Sequence, residues 1–498
     1  MVIYVLLIFA GIIVSTFLAN QTYCLQKKYL QSQASKMKAD LIIYNADQLI
    51  TCASGGKPKR KAEMQNVGIV ENGAIAIVER EIVGVGKSNE IHQQFESENV
   101  FDAKGRVVCP AFVEPHTHVV FAGNRLDEFE LKIKGADYLE ILENGGGILS
   151  TVRQTREATL KELVEQSLKR LDKLLEMGVT TCEVKTGYGL DTETELKMLA
   201  AIFALDKIHT IDLIPTFLPA HAIPPEYKGR ENDYVDLICS EMLPSARRLF
   251  AMDKFDFEKI KSQIAEEIKL QEARGESAGI GAYRISESEQ LSERQNNPFF
   301  IDVFCEKNAF NLEQSKRVLE AGKRFGMKIK AHVDEFTNLG AARMAIELGA
   351  TSIDHLDTTS DEEIALLAKS NTIGIVTPTV NFNFGSCEFA DARKMIDAGC
   401  AIAVSTDYNP GSAPCSSTSL ATAIACRYQK MLPSEALNAV TINAAFALDL
   451  GDKVGSLEIG KQADILILDT NDYRQISYEF GGNLVEKVFK NGKIVYEN

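Results

Sequence analysis

The sequence predicts an α/β fold in which a (β/α)8 TIM-type barrel carries a small β-sandwich domain built from both chain ends. The middle of the chain alternates apolar runs of strand length with amphipathic stretches of helix length, as such a barrel requires. Both ends are instead rich in short strands and hairpin turns. With 498 residues, of which 45% are hydrophobic, the chain is long enough for one large core and a smaller domain.

The predicted β domain comprises residues 39–106 and 448–498. In the first segment an apolar run follows the dipeptide Asn72-Gly73, which is typical of a tight hairpin turn. The second segment contains another such turn at Asn491-Gly492, between two apolar runs. Because the two β-rich segments flank one long middle region, we expect their strands to share a single small domain.

Residues 107–447 are predicted to form the barrel, in which the chemistry lies at the C-terminal ends of the strands. Residues 245–298 interrupt the alternation with a charged helix candidate and a Gly/Ser/Glu-rich stretch. They fit a surface insertion or a lid, and we favour a solvated excursion with no role in catalysis. The predicted strands are 107–108, 180–184, 213–217, 300–305, 328–331, 352–353, 373–376 and 401–405, and the predicted helices include 160–177, 312–325 and 361–369.

The first 38 residues, 1–38, stand apart from both domains. Val2 to Ala19 is an almost unbroken apolar run, about long enough to cross a bilayer. It fits a membrane anchor, a signal peptide or an extension without a role in function, and the sequence leaves these three open. The cations that follow it, such as Lys27 and Lys28, favour a cytosolic position for the catalytic body.

Charge and cysteine usage exclude several classes of function. The net charge is −15, so the chain repels phosphate backbones and no nucleic acid is expected as a partner. Ten cysteines are scattered without a CxxC pair, which argues against a zinc ribbon and against a thioredoxin-like redox motif. Single cysteines within apolar runs are typical of reduced thiols in the cytosol.

Histidines give the clearest sign of function, because five of the seven stand at or just after predicted strand ends in the barrel. His116 and His118 follow the first strand, and their i, i+2 spacing points both side chains the same way. His332 and Asp407 follow two later strands. Three imidazoles and a carboxylate at one end of a barrel predict a single metal site.

Several sequence blocks resemble the amidohydrolase superfamily and, within it, the imidazolonepropionases of histidine degradation. The superfamily resemblance rests on residues 115–118, 405–407 and 455–464. The narrower resemblance runs from residue 39 to the last residue, without the stretch near 250–297. Its blocks are 129–135, 145–151, 183–190, 220–228, 331–335 and 406–412.

This resemblance implies a set of site residues. The implied ligands of one zinc or iron ion per subunit are His116, His118, His332 and Asp407. Glu335 would transfer the proton and also contact the substrate, and His355 would orient or polarise the attacking water. His221 would take part in catalysis and contact the substrate beside the metal. The other implied substrate contacts are Arg125, Tyr138, Tyr188, Asn409, Gly411 and Ser412.

The resemblance also implies the reaction. The enzyme would be a metal-dependent hydrolase that opens the ring of a small molecule, 4-imidazolone-5-propanoate, through attack of a metal-activated hydroxide on the ring amide. The product would be N-formimidoyl-L-glutamate. The planar guanidinium of Arg125 is suited to bind the propionate of the substrate. A homodimer is the expected assembly.

Other interpretations stay open. A related cyclic amidohydrolase or aminohydrolase is one, and since such sites commonly use a carbamylated lysine, Lys185 is the only candidate for that role. A non-catalytic scaffold on the same fold is another, although it would be expected to lose metal ligands. Arg125 could instead pair with Asp127 or Glu128 at the surface, and Tyr138 could pack in the core.

Deleting residues 1–36 is expected to leave kcat and the thermal midpoint nearly unchanged, because the apolar run has no pattern that ties it to either domain. Activity and thermal unfolding of the purified full-length and truncated proteins would measure this. A truncated protein that unfolds or loses activity would contradict the domain boundary at residue 39. Membrane fractionation of the full-length protein would separately show whether residues 2–19 anchor it.

Overall fold

The computed structural model describes residues 36–135, 146–251 and 297–498. The apolar run at 2–19, Tyr138 and most of the predicted insertion therefore lie outside the described residues. Within the described ranges, no helix is both long enough and apolar enough to cross a membrane.

Eight parallel strands form the predicted barrel, which is confirmed. Strands that are neighbours along the chain are neighbours in the sheet, and a parallel bridge between Thr117 and Tyr408 joins the first strand to the last. The His118 N–H donates to the Tyr408 carbonyl oxygen at 2.9 Å across the same seam. In barrel order the strands are Phe112–Glu114, Val179–Lys185, Asp212–Ala220, Phe300–Cys305, the interrupted fifth strand Lys328–Ile329 and His332–Val333, Ser352–His355, Ile373–Val376 and Ile402–Val404.

A second sheet of eight strands combines segments from both ends of the chain. Its central strand, Val107–Pro110, pairs with Ile465–Leu468 on one side and with Leu41–Ile50 on the other. From edge to edge the sheet runs Lys493–Glu497, Val485–Lys490, Ile465–Leu468, Val107–Pro110, Leu41–Ile50, Ile69–Val78 and Glu81–Lys87, with Val100–Asp102 also beside Leu41–Ile50. Met37–Lys38 and Phe95–Glu96 form a separate two-stranded sheet.

The prediction that residues 107–108 form the first barrel strand is wrong. Val107 and Val108 pair with Leu468 and Ile467 in the second sheet, and the barrel begins after them with Phe112–Glu114. A short apolar run identifies a strand, but it carries no information on which sheet contains that strand. The histidine pair that follows Phe112–Glu114 keeps its predicted place at a barrel strand end.

Helices follow most of the barrel strands, and side-chain caps define several of their starts. At the start of Leu160–Glu176 the Glu162 N–H donates to Thr159 Oγ1 at 3.2 Å, and the Glu162 carboxylate accepts from the Thr159 N–H. The three predicted helices are confirmed apart from one or two residues at their C-terminal ends. The helices are Ser88–Gln94, Leu126–Ile133, Ile148–Glu157, Leu160–Glu176, Thr192–Ile208, Glu231–Leu237, Leu243–Ala251, Leu312–Arg324, Ala341–Leu348, Asp361–Leu367, Pro378–Asn383, Ala392–Ala398, Thr418–Tyr428, Pro433–Ala439, Ile442–Ala447 and Gln475–Tyr478.

Strained backbone is found at the C-terminal ends of three barrel strands. Asp334, His355 and Asp407 adopt left-handed φ angles of 55°, 82° and 49°. In residues other than glycine such conformations cost about 1–3 kcal/mol each, and they persist where the surrounding structure fixes them. Two of the three, His355 and Asp407, are predicted site residues, so part of the strained backbone lies where the sequence predicts chemistry.

Candidate active site

The four predicted metal ligands converge at the C-terminal end of the barrel. His116 Nε2 and His118 Nε2 lie 3.3 Å and 3.6 Å from Asp407 Oδ1. His332 Nε2 is 3.4 Å from His118 Nε2. All four side chains are buried. The first, fifth and eighth strands thus bring together residues that are far apart in the sequence.

Three further predicted residues, His221, His355 and Glu335, adjoin these ligands. The Nδ1–H of His221 donates to the Gly187 carbonyl oxygen at 3.1 Å, which leaves the ring's lone pair on Nε2. His355 Nδ1 is hydrogen-bonded to Thr377 Oγ1 at 3.0 Å, and its Nε2 lies 3.7 Å from Glu335 Oε2. Glu335 and His355 therefore form an acid–imidazole pair beside the ligand set.

The donor set fits a bound cation. Among the described residues, His116 Nε2, His355 Nε2 and Asp407 Oδ1 are buried without a hydrogen-bond partner, a condition that calls for an ion or another ligand. Burial, and then the charge of Lys185, lowers the pKa of His116 well below its ordinary value. Burial likewise lowers the pKa of His118. Both imidazoles are thus neutral, which is the form that binds a metal.

Next to the predicted ligands lies a group of charged side chains, each 0% exposed, of which the sequence analysis names only Lys185, as the candidate for carbamylation. We call it the buried charge cluster, and it consists of Lys185, Lys330, Glu183, Asp302 and Asp354. The Nδ1–H of His116 donates to Asp354 Oδ2 at 2.7 Å, and His332 Nδ1 lies 3.1 Å from Asp302 Oδ2. These two carboxylates orient the rings of two predicted metal ligands and, for His116, fix the tautomer.

Lys185 is held in its charged form within the cluster. Burial disfavours the ammonium, but the charges of Asp302, Glu183 and Asp354 outweigh burial and raise the pKa of Lys185 above its ordinary value. Carbamylation would replace this cation with an anion beside three carboxylates, so the geometry favours the unmodified ammonium over a carbamylated metal ligand. The interpretation as a related enzyme with a carbamylated lysine loses its only candidate residue.

A cavity of about 630 Å³ opens beside the ligand set, a size that suits a small molecule. The predicted substrate-binding residues that line it are Arg125, Tyr188, His221, Glu335, Asn409, Gly411 and Ser412. Tyr138 lies outside the described residues. Phe304, Phe336 and Phe384 also line the cavity, although the sequence analysis does not predict them.

Arg125 lines the cavity and is also paired with a carboxylate. Its Nε donates to Glu128 Oε2 at 2.7 Å and its Nη2 donates to Oε1, so the ion pair weighed as an alternative exists, but with a buried partner. Lys132 Nζ lies 2.8 Å from Glu128 Oε1 and lines the same cavity. A Cβ on Gly411 would lie 1.9 Å from Arg125 Nη1, so only glycine lets the guanidinium lie against this backbone.

Asn409 shapes the loop after the last strand. Its Nδ2 donates to the Asp407 carbonyl oxygen and to Ser412 Oγ, both at 2.7 Å. Its Oδ1 accepts from the N–H groups of Gly411 and Ser412, both at 2.8 Å. Because these four bonds use the whole side-chain amide, Asn409 acts on the cavity by holding Gly411 and Ser412 in place.

Comparison with known proteins places the chain in a family. The model of the amidohydrolase family matches residues 257–495. An imidazolonepropionase from Chloroflexus aggregans is 47% identical to the chain over 459 residues, which are 92% of the chain and 99% of that protein. The chain belongs to the imidazolonepropionase family. Another imidazolonepropionase, from Alkaliphilus oremlandii, is 43% identical over 464 residues, 93% of the chain and 99% of its own length.

Solved structures share the fold of this imidazolonepropionase-family chain at low sequence identity. An adenosine deaminase from Xanthomonas campestris with bound zinc has a TM-score of 0.61 and 16% identity, covering 92% of the chain and 93% of its own. A guanine deaminase from C. acetobutylicum has a TM-score of 0.60 and 15% identity, covering 91% and 99%. At these identities the likeness shows the fold alone.

Replacing a metal ligand is expected to remove metal and activity together. His116→Ala, His332→Ala or Asp407→Ala should each weaken metal binding by more than about 100-fold, because a site with one ion holds it poorly after losing a ligand. Metal content by mass spectrometry and activity on the same samples would measure this. His92→Ala, in the second-sheet domain, is the matched control and should keep both. Full activity in any of the three variants would contradict the ligand assignment.

Proposed function

We propose that the chain catalyses the hydrolytic ring opening of 4-imidazolone-5-propanoate to N-formimidoyl-L-glutamate, a step of histidine degradation. The observation that carries the proposal is one cavity that joins the ligand set, the Glu335–His355 pair and the cations of Arg125 and Lys132. The names of relatives aligned over nearly their full length support the same substrate. An ultraviolet assay of substrate loss with the purified protein is the direct test.

A single metal ion is part of this proposal. The proposed ligands of one zinc or iron ion are His116, His118, His332 and Asp407. When bound, the ion supplies Lewis-acid polarisation and lowers the pKa of a water molecule to about 7. Imidazole nitrogens and a carboxylate oxygen suit either metal. Asp354 and Asp302 contribute by holding two of the imidazoles in the orientation that the ligand set needs.

Glu335 is the proposed proton carrier. Burial, with the nearby charges of Asp407, Asp357 and Glu306, raises the pKa of Glu335 well above its ordinary value. A raised pKa suits a carboxylate that accepts a proton from the attacking water and passes it to the leaving ring nitrogen. His355 Nε2, at 3.7 Å from Glu335, is placed to hydrogen-bond the attacking water or the developing oxyanion.

Aromatic rings form the part of the cavity suited to the substrate's ring. His221 stacks on His118 with ring centroids 4.9 Å apart, and the Tyr188 ring lies 5.4 Å from that of His221. A planar five-membered ring packs well against such faces. Because the Nδ1–H of His221 is bound to a backbone carbonyl, its Nε2 presents a lone pair to a donor on the substrate.

The substrate's propionate has a matching charged partner in the cavity. Arg125, Lys132 and Glu128 together carry a net charge of +1, which complements one carboxylate. Glu128 uses one edge of the Arg125 guanidinium, through Nε and Nη2. Within the described ranges no hydrogen bond is made by Nη1, which can therefore bind a second anion. The buried Glu128 also accepts from the Gly147 N–H at 2.8 Å, which fixes the carboxylate that orients both cations.

The homodimer and the possible membrane anchoring by residues 2–19 stay predictions. Analytical ultracentrifugation of the protein without residues 1–36 would measure the first. Fractionation of the full chain would measure the second.

Glu335→Gln should keep the metal and the fold but lower kcat by roughly two to four orders of magnitude, because the amide cannot carry the proton. Steady-state kinetics with metal analysis of the same sample would measure this. Glu347→Gln, an exposed carboxylate on the helix Ala341–Leu348, is the matched control and should behave as wild type. A Glu335→Gln protein that loses metal in proportion to activity would instead make Glu335 a metal ligand.

Lys132→Met should raise KM about three- to tenfold and leave kcat nearly unchanged, because it weakens binding of a group remote from the reacting bond. Lys132 is partly exposed, so solvent screening keeps the effect small. Lys134→Met is the matched control, since Lys134 lies two residues after Lys132 and pairs with the exposed Glu130. Equal effects of the two substitutions on KM would argue against Lys132 as a substrate contact.

A further inference from the structure

The buried charge cluster and the ligands beside it have a composition that would itself suit a metal ion. Potential ligand atoms of His116, Glu183 and Asp354 lie within 4.8 Å of one another, and so do those of Asp302, His332 and Asp354. Each set contains two carboxylates and an imidazole, which divalent metals commonly use. Because the two sets share Asp354, they surround one region next to the proposed metal centre.

The ammonium of Lys185 occupies that region. Its Nζ lies 2.7 Å from Asp302 Oδ2, 2.9 Å from Glu183 Oε1 and 3.4 Å from Asp354 Oδ2. All four side chains are fully buried, so water does not compete for these contacts. An ammonium has three N–H donors, and here three carboxylates surround it.

We propose that the Lys185 ammonium takes the place of a second cation and thereby keeps the metal centre mononuclear. In the same position it holds Asp354 toward His116 and Asp302 toward His332. Lys185 is therefore a positioning residue for two metal ligands. The inference rests on the proposed metal site, and it adds a physical reason why that site holds a single ion.

A fixed ammonium and a divalent ion differ in whether the carboxylate oxygens can still accept hydrogen bonds from the histidines. A divalent ion would engage the carboxylate oxygens directly, whereas the ammonium shares them through hydrogen bonds. Asp354 Oδ2 thus still accepts from His116 Nδ1–H at 2.7 Å. His116 then carries its proton on Nδ1 and its lone pair on Nε2, which faces Asp407 Oδ1 at 3.3 Å.

Lys330 provides a matched comparison within the same cluster. It is as buried as Lys185, and its Nζ lies 2.8 Å from the Pro115 carbonyl oxygen, 3.3 Å from Glu183 Oε2 and 3.9 Å from Asp354 Oδ2. It therefore sits to one side of the three carboxylates instead of among them. Lys330→Met removes the same charge and keeps the Lys185 ammonium in place.

The experiment counts metal ions in Lys185→Met, Lys330→Met and wild type. Each protein is stripped with a chelator, dialysed against zinc and analysed by mass spectrometry, with calorimetry to measure each binding step. Wild type and Lys330→Met are expected to bind one equivalent of zinc. Lys185→Met is expected to bind two, because three carboxylates without their ammonium recruit a second ion. One equivalent in a folded Lys185→Met would overturn the proposal.

A second variant keeps the test decisive if Lys185→Met does not fold without metal. Refolding with excess zinc should then recover Lys185→Met, since the ion replaces the missing charge. Lys185→Met combined with Glu183→Gln has one carboxylate fewer, and it should fold and bind a single equivalent. If the double variant folds but zinc does not recover Lys185→Met, the proposal is also overturned. A wild type that binds no zinc would contradict the metal site itself and leave no basis for the stoichiometry.

Discussion

The arrangement of the site depends on the hydrogen bond between His116 and Asp354 and on the charges that hold Asp354 in place. A carboxylate fully buried in a protein is costly unless it is paired and hydrogen-bonded. Asp354 meets this condition because Lys185, Lys330 and Ser352 Oγ surround it as well. The fold itself therefore orients the imidazole, and the cost of orienting it is met during folding.

The interior of the barrel is layered along its strands, and the layers explain why charge is tolerated there. In the fourth strand Phe300 belongs to an apolar cluster, Asp302 to the buried charge cluster, and Phe304 to the wall of the cavity. Alternate residues of a strand face the same side, so these three side chains form successive levels of the barrel interior. The apolar level closes one end, and the charged level between it and the cavity supports the ligands.

The sequence predicts the barrel and the convergence of His116, His118, His332 and Asp407 well, because both leave local signals. His116 and His118 stand at one strand end with a metal-ligand spacing, and this requires no knowledge of distant partners. The buried charge cluster leaves a much weaker signal, since Asp302 is a single charged residue within an apolar strand. Its partners come from other strands far along the chain, so only the fold reveals that the charges compensate one another. The prediction that places Val107 in the barrel is wrong for the same reason, because its partner Leu468 is remote in sequence.

The pairing of Val107–Pro110 with Ile465–Leu468 has a consequence for how the protein is made. During synthesis from the N-terminus, the central strand of the second sheet emerges long before its neighbour does. Until then that strand presents unpaired N–H and C=O groups, as any edge strand does. Contacts of such large sequence separation slow folding, and an exposed edge in the waiting chain favours aggregation. The nascent chain must therefore protect this edge while the whole barrel is still being translated, a task for a chaperone or for transient contacts with its own earlier strands.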